Sequence, residues 1–281
     1  MKTFRDRVAV ITGAASGLGR ALAQRFAREG VKLVLADVDE PLLAATRTEL
    51  AAAGATVVAT RCDVAHGGDV ERLAHTTLDA FGAAHIVCNN AGVAPLGAVW
   101  ESSSADWQWA LGVNLWGVIH GVRVFTPILL DQSDEGHIVN TASVAGLISS
   151  PGMGVYNVTK HAVVALTETL HHDLAAKTQR VRCSVVCPAY FPSGISDSER
   201  SRPAALRDDR PKSAEDIARE EKLRKAVRSG KLTAGDIAEA VFAGIRDERF
   251  YLLTHPRIKP AIELRLRDII DERTPTNPLA S

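Results

Sequence analysis

The sequence predicts a doubly wound α/β protein, a single domain with a parallel sheet of about seven strands and helices on both faces. Short β-branched runs alternate with longer stretches of helical periodicity along nearly the whole chain. The strand candidates read as unbroken apolar runs, as in Val8-Ala9-Val10-Ile11 and Val185-Val186, which is how strands buried on both faces read. A glycine cluster stands between the first strand and the first helix, where a doubly wound sheet opens onto its ligand crevice.

Taken in order, Val-Ala-Val-Ile-Thr makes the first strand, 8–12. Leu18, Leu22 and Phe26 recur on one face and make 17–29 a helix. Lys-Leu-Val-Leu-Ala is the second strand, 32–36, and Pro41 opens the next helix, 41–53. Val57 and Val58 place the third strand at 56–62, ahead of a helix over 69–81. Ile-Val-Cys is the fourth strand, 86–88, followed by a long apolar helix over 103–130. Strands at 137–141 and 181–187 bracket a helix at 155–177, and the helix 234–247 leads to a last strand at 250–253. One segment breaks the rhythm. Residues 196–230 are dense in Arg, Lys, Asp and Glu, with Pro203 and Pro211 early and a helical stretch from Ser213 onward. The segment follows a strand's carboxyl end, so it reads either as a solvated helical excursion or as a mobile lid, the lid spanning 190–230. The domain runs over 1–255, and 256–281 is a basic amphipathic tail (Ile262, Leu264, Leu266, Ile269, Ile270) suited to cover the sheet edge or a neighbouring subunit.

Lysine plus arginine number 33, as do aspartate plus glutamate, and the net charge of +0 argues against a nucleic-acid or acidic-membrane partner. Hydrophobic residues at 46% and charged residues at 23% are the usual mix of a soluble globular chain. The apolar run 8–12 is too short for a signal-peptide core, so a cytoplasmic protein is the expectation. Cys62, Cys88, Cys183 and Cys187 sit in or beside apolar runs without zinc-type pairing and read as buried, reduced thiols. His161, His171 and His172 lack a convincing set of metal partners, and no metal is expected. Trp100, Trp107, Trp109 and Trp116 read as packing or interface groups.

The loop Thr12-Gly13-Ala14-Ala15-Ser16-Gly17-Leu18-Gly19 joins strand to helix. Glycines let its backbone turn tightly and approach a diphosphate, and the helix N-terminus adds free N–H groups and a favourable dipole. The spacing is GxxxGxG rather than the generic GxGxxG. Asp37-Val38 ends the second strand about 20 residues on, where a carboxylate accepts from ribose hydroxyls and repels a 2′-phosphate. Ala15 offers no positive charge to welcome such a phosphate, so the cofactor reads as NAD rather than NADP. Asp63-Val64 and Asn89-Asn90-Ala91-Gly92 end two further strands facing the same crevice.

Tyr156 and Lys160 stand four residues apart and share one helix face. A tyrosine titrates near pH 10, and lowering that by about three units takes roughly 4 kcal/mol of preference for the phenolate. One positive charge about 4 Å away supplies about that much at an effective dielectric of 20. Lys160, helped by the oxidised nicotinamide, is therefore sufficient in magnitude to make Tyr156 a base.

TGAASGLG at 12–19, Asp63, NNAG at 89–92, Asn114, Ser143 and Tyr156-Asn157-Val158-Thr159-Lys160 occur in that order. The pattern resembles the short-chain dehydrogenase/reductase family in its shorter, single-domain branch, from about Arg7 to Phe250. The resemblance implies a Rossmann-type sheet and hydride transfer between a nicotinamide and an alcohol or ketone carbon. It implies that Ser143 binds the substrate oxygen, that Tyr156 exchanges its proton, and that Lys160 binds the nicotinamide ribose and lowers the tyrosine pKa. Asn114 would hold a water that continues the proton relay. Gly13, Ser16, Gly17, Leu18, Gly19, Asp37, Val38, Asp63, Val64, Asn90, Ala91 and Gly92 would line the cofactor site with Tyr156, Lys160, Pro188 and Ser193. Two departures stand out: Pro188-Ala189 replaces the usual Pro-Gly, and Ser193 stands for the usual threonine. The pocket falls to Pro95, Leu96, Ala145, Gly146, Met153, Tyr190 and Phe191, mostly apolar, together with the excursion 196–230, which suits a small-molecule substrate with a bulky hydrophobic or aromatic body. In the family the helices matching 103–130 and 155–177 pair between subunits, so a homodimer or homotetramer is expected. The competing readings are an NADPH-dependent ketone or 3-oxoacyl reductase, against which Asp37 speaks, and a non-catalytic NAD-binding sensor, which would have no use for the proton relay.

Overall fold

The computed structural model describes residues 1–207 and 213–278. Seven strands form one sheet: β1 (Val8–Thr12), β2 (Lys32–Asp37), β3 (Val57–Arg61), β4 (Ile86–Asn89), β5 (Gly136–Thr141), β6 (Val181–Val186) and β7 (Tyr251–Leu252). Their order is β3-β2-β1-β4-β5-β6-β7, with every neighbouring pair parallel. The winding reverses between β1 and β4, and the switch opens a crevice at the carboxyl ends.

The helices are α1 (Gly17–Ala27), α2 (Glu40–Ala52), α3 (Gly67–Phe81), α4 (Ser104–Ala110), α5 (Gly117–Asp131), α6 (Gly154–Lys177), α7 (Ala214–Arg228), α8 (Ala234–Arg246) and α9 (Lys259–Ile270). Side chains alternate across a strand, so each buried strand feeds two cores. Ala9, Ile11, Leu33 and Leu35 pack with Leu22 and Phe26 of α1 and Val241 and Ile245 of α8. Val8, Val10 and Val34 point to the other face, with Leu73 of α3, Phe125 and Leu129 of α5 and Leu170 of α6. The apolar strands predicted from sequence are apolar throughout for this reason. All four cysteines are free and buried, and burial pushes the Cys62, Cys183 and Cys187 thiols up to about 12.

Two elements depart from the sequence reading. The long helix expected over 103–130 is interrupted by a π-turn, Leu111–Trp116, between α4 and α5. The helical run Ser104–Asp131 is long and apolar enough to cross a membrane, yet Val118, Phe125 and Leu129 are buried within the fold. The segment 196–230 holds short 3-10 turns at Gly194–Ser201 and Ala204–Leu206 ahead of α7; Pro211 lies outside the described residues. Of the tryptophans, Trp109 is buried while Trp100 is 85% exposed. In the tail, α9 leaves Leu264, Leu266, Ile269 and Ile270 exposed in the single chain.

Candidate active site

Thr12, the last residue of β1, holds the switch point together. Its hydroxyl donates to the Cys88 carbonyl at 3.3 Å and accepts from the Asn90 and Ala91 amides at 2.9 and 3.2 Å. Beyond it Gly13 takes φ +65°, and a β-carbon there would lie 2.8 Å from Ala91 Cα. Gly19 is pressed against the Gly13 carbonyl so closely that any β-carbon would collide with it. Ser16 precedes α1 without capping it through its side chain. The first-turn amides of α1 thus face the crevice without that partner, at the end where the helix dipole favours an anion. Asp37 closes the loop from β2: one carboxylate oxygen accepts from the Ala15 amide at 2.9 Å and the other from the Asp39 amide at 3.0 Å. This glycine cradle, with uncapped amides at one side and a fixed carboxylate at the other, fits a dinucleotide's diphosphate and adenosine ribose.

The crevice encloses about 360 Å³. Its lining brings together Gly13, Ser16, Gly17, Leu18, Asp37, Val38, Asn90, Ala91, Gly92, Ser143, Ala145, Met153, Tyr156, Lys160, Pro188, Tyr190 and Ser193, all of them expected from sequence. Gly19 lies beneath the lining, as a support of the loop. Asp63 and Val64 stand outside it: the Asp63 carboxylate accepts from the Ala65 amide, and Val64 packs against Gly117. Pro95, Leu96 and Gly146 also stay out, with Ala94 taking the place expected of the first two. Gly146 serves the site from behind, since a β-carbon there would lie 2.5 Å from the Lys160 carbonyl oxygen.

At the far end Ser143 and Tyr156 meet. The Ser143 hydroxyl caps a 3-10 turn, accepting from the Ala145 amide at 3.1 Å and lying 3.3 Å from the Pro188 carbonyl. The Tyr156 phenol stands near enough for this hydroxyl to favour its ionised form. Lys160, only 3% exposed, donates through Nζ to the Thr141 carbonyl at 2.9 Å and stands 5.6 Å from the Tyr156 ring centroid. Burial pushes Tyr156 up to about 12, with the nearby Ser143 hydroxyl pulling the other way, and burial brings Lys160 down to about 8. The sequence argument counted on the oxidised nicotinamide beside Lys160; in the free protein desolvation disfavours both charges and dominates.

Asn114 is fully buried in the π-turn. Its Oδ1 accepts from the Val93 amide at 2.8 Å, and its Nδ2 donates to the Val93 carbonyl at 2.9 Å and to Thr159 at 3.1 Å. The added residue of a π-turn re-aims a side chain, and here Asn114 clamps the loop after β4 instead of lining the crevice.

Sequence reasoning placed the segment 190–230 at the pocket without singling out Ile195, Ser198, Arg200, Leu223 or Val227, and it missed Ile148 and Ile258; all seven line the crevice. The spacing of Leu223 and Val227 on one face of α7 was the available signal, hidden among charges. Ile258 comes from the tail, at the start of α9.

Residues 7–204 match the family profile described as short chain dehydrogenase. The chain is a short-chain dehydrogenase/reductase. Among its relatives is the CLA biosynthesis dehydrogenase/reductase of Lactiplantibacillus plantarum, 34% identical over 98% of this chain and 97% of that protein. A second is the 1-deoxy-11-beta-hydroxypentalenate dehydrogenase of Streptomyces exfoliatus, 35% identical over 96% of this chain and 89% of the other. The crystal structure of a short chain dehydrogenase/reductase from Burkholderia phymatum in complex with NAD matches with a TM-score of 0.98 and 54% identity, covering 100% of each chain. As a short-chain dehydrogenase/reductase the protein is an oxidoreductase with a Rossmann-type fold.

Proposed function

We propose that this oxidoreductase interconverts a secondary alcohol and its ketone with NAD, on small molecules of bulky hydrophobic or aromatic character. One observation carries the reading: Ser143, Tyr156 and Lys160 converge on the same crevice that holds the glycine cradle and Asp37. The NAD-bound Burkholderia phymatum relative and the carboxylate at Asp37 support the choice of cofactor. The crevice lining includes Ala94, Ile148, Met153, Leu223, Val227 and Ile258, and its cations are Lys160 and Arg200. Those apolar side chains favour an uncharged, apolar body.

Bound NAD accepts the hydride in oxidation and returns it in reduction. The chain's own residues do the rest. Ser143 holds the substrate oxygen by its hydroxyl, and Tyr156 takes the hydroxyl proton or gives it back. Lys160 presents a positive charge to the developing phenolate, and Asn114 fixes the Gly92–Val93 loop beside that cation. General acid/base help of this type contributes about 10²–10⁴-fold.

Initial rates with NAD across aliphatic, aryl, steroid and hydroxyacyl secondary alcohols test the reading, with Tyr156→Phe as control. Turnover of an apolar class, lost in Tyr156→Phe while NADH still binds, is expected. Retained activity in that variant would overturn the assignment of the proton donor. Trp116 (49% exposed) and Val158 (47% exposed) on the π-turn and α6 support pairing of two copies through these helices. Light scattering reads this directly, and a monomer at micromolar concentration would rule it out.

A further inference from the structure

The cofactor crevice carries a cation that no sequence motif announces. Arg200 lies near the end of the 3-10 turn Gly194–Ser201 and lines the crevice. A β-carbon on Gly194 would sit 3.4 Å from Arg200 Nη1 and 3.7 Å from Ser16 Oγ, so the guanidinium stands beside the phosphate loop. Its Nε is 3.9 Å from the Asp39 carboxylate, across the crevice at the start of α2. Nη1 donates to the Gly194 and Asp197 carbonyls at 3.2 and 3.1 Å, which holds the group from behind. Nη2 has no partner among the described residues.

The local charge explains what such a group is for. At this end the lining carries two carboxylates, Asp37 and Asp39, and Arg200 is its one cation among the described residues. A diphosphate brings two full negative charges, and the α1 N-terminus offers only about half a positive charge against them. The Arg200–Asp39 contact is long and half-exposed, so little is lost when it breaks.

We propose that Arg200 is a cofactor latch, exchanging its contact with Asp39 for the diphosphate of the bound dinucleotide and closing the turn 194–201 over it. This rests on the dinucleotide reading of the crevice and adds a residue from the lid to the cofactor site. It also couples cofactor arrival to the substrate wall, because Ile195 and Ser198 of the same turn line the crevice. Ser198 accepts from the Ala94 amide at 3.2 Å, and Arg224 of α7 lies 3.4 Å from Asp197.

The test is equilibrium binding, without turnover. NADH, NADPH, ADP and adenosine are titrated into the wild type, Arg200→Gln and Arg200→Lys. The expected result is a loss of about 10-fold to 100-fold for NADH and ADP in Arg200→Gln, the size of a charged hydrogen bond. Adenosine affinity stays unchanged, and Arg200→Lys recovers part of the loss. Wild-type affinity for ADP also falls more steeply with salt than that of Arg200→Gln. Unchanged ADP binding in Arg200→Gln overturns the latch, as does an equal loss of adenosine, which would mark general damage. A selective loss of NADPH would assign Arg200 to a 2′-phosphate and overturn the diphosphate role. If the wild type binds no NADH or ADP, the dinucleotide reading itself fails, an outcome distinct from the others.

Discussion

Lys160 Nζ is tied to the Thr141 carbonyl at 2.9 Å and held 5.6 Å from the Tyr156 ring centroid, so a cation anchored on β5 overlooks the phenol. Burial nonetheless keeps Tyr156 up at about 12 and Lys160 down at about 8. Alcohol oxidation needs the phenolate, and ketone reduction needs the phenol. The value of kcat/KM for oxidation should therefore still be climbing across about pH 7–9, short of the Tyr156 value of about 12, while that for reduction does not. An oxidation profile flat across that range would show that Tyr156 is not the proton acceptor.

The same burial bears on stability. Lys160 binds its proton less tightly folded, at about 8, than unfolded, at 10.5. Between those values the unfolded chain carries the extra proton, so this group's contribution to stability rises with pH. Below about 8 the full burial cost is present. Lys160→Met should then stabilise the fold near neutral pH by up to about 3 kcal/mol, less the Thr141 hydrogen bond, while turnover collapses. Thermal denaturation across pH checks the sign: the gain should shrink as pH rises through 8 towards 10.5. A gain that grows with pH would refute the buried-charge account.

Gly146 lets the 3-10 turn that follows Ser143 lie against α6. A β-carbon at Gly146 meets the Lys160 carbonyl at 2.5 Å, so Gly146→Ala must push the 3-10 turn off α6. Overpacking of this kind costs about 1–3 kcal/mol. We expect kcat to fall by about tenfold or more, since small misplacements in a catalytic pair are costly. NADH binding should hold. Wild-type kcat in Gly146→Ala would show that the turn has slack.

Arg202 fastens the segment 196–230 to α4. It is 6% exposed, its Nη2 lies 2.7 Å from Asp106, and its guanidinium stacks 5.0 Å from the Trp109 ring. Arg219 of α7 adds a second tie, to Glu101 at 2.9 Å. Arg202→Met leaves the Asp106 carboxylate with its Ser103 donors alone, and breaking such a pair costs about 3–5 kcal/mol when fully buried. Faster proteolysis within 196–230 and a raised substrate KM are the expected readouts, with kcat less affected. An unchanged KM would mean that the position of this segment does not matter for substrate.

Val227 is 2% exposed and lines the same crevice as Ser143 and Tyr156. Val227→Phe should cut kcat/KM for the bulkiest alcohols by about tenfold or more while sparing small ones, because a filled pocket discriminates by size. Equal losses for large and small substrates would place the substrate elsewhere.

The strands, the glycine loop, Asp37 and the Tyr156–Lys160 face were legible from sequence because each depends on local order. A buried strand must be apolar on both sides, a tight phosphate turn needs glycine at Gly13 and Gly17, and four-residue spacing puts two side chains on one helix face. The π-turn at Asn114 was not legible, since one inserted residue in an apolar helix leaves the pattern almost unchanged.

What the sequence by itself determined is the doubly wound parallel sheet, the family and the residues proposed to perform the chemistry. Only the tertiary structure decided which residues from far along the chain wall the crevice: Arg200 against Asp39, Leu223 and Val227 through a charged helix, Ile258 from the tail. It also decided that Asn114 clamps a loop and that Lys160 is held near 8. The physical reason is range. Periodicity and turn chemistry act between neighbours in the chain, whereas burial and the fields of distant charges exist only once the chain has closed on itself.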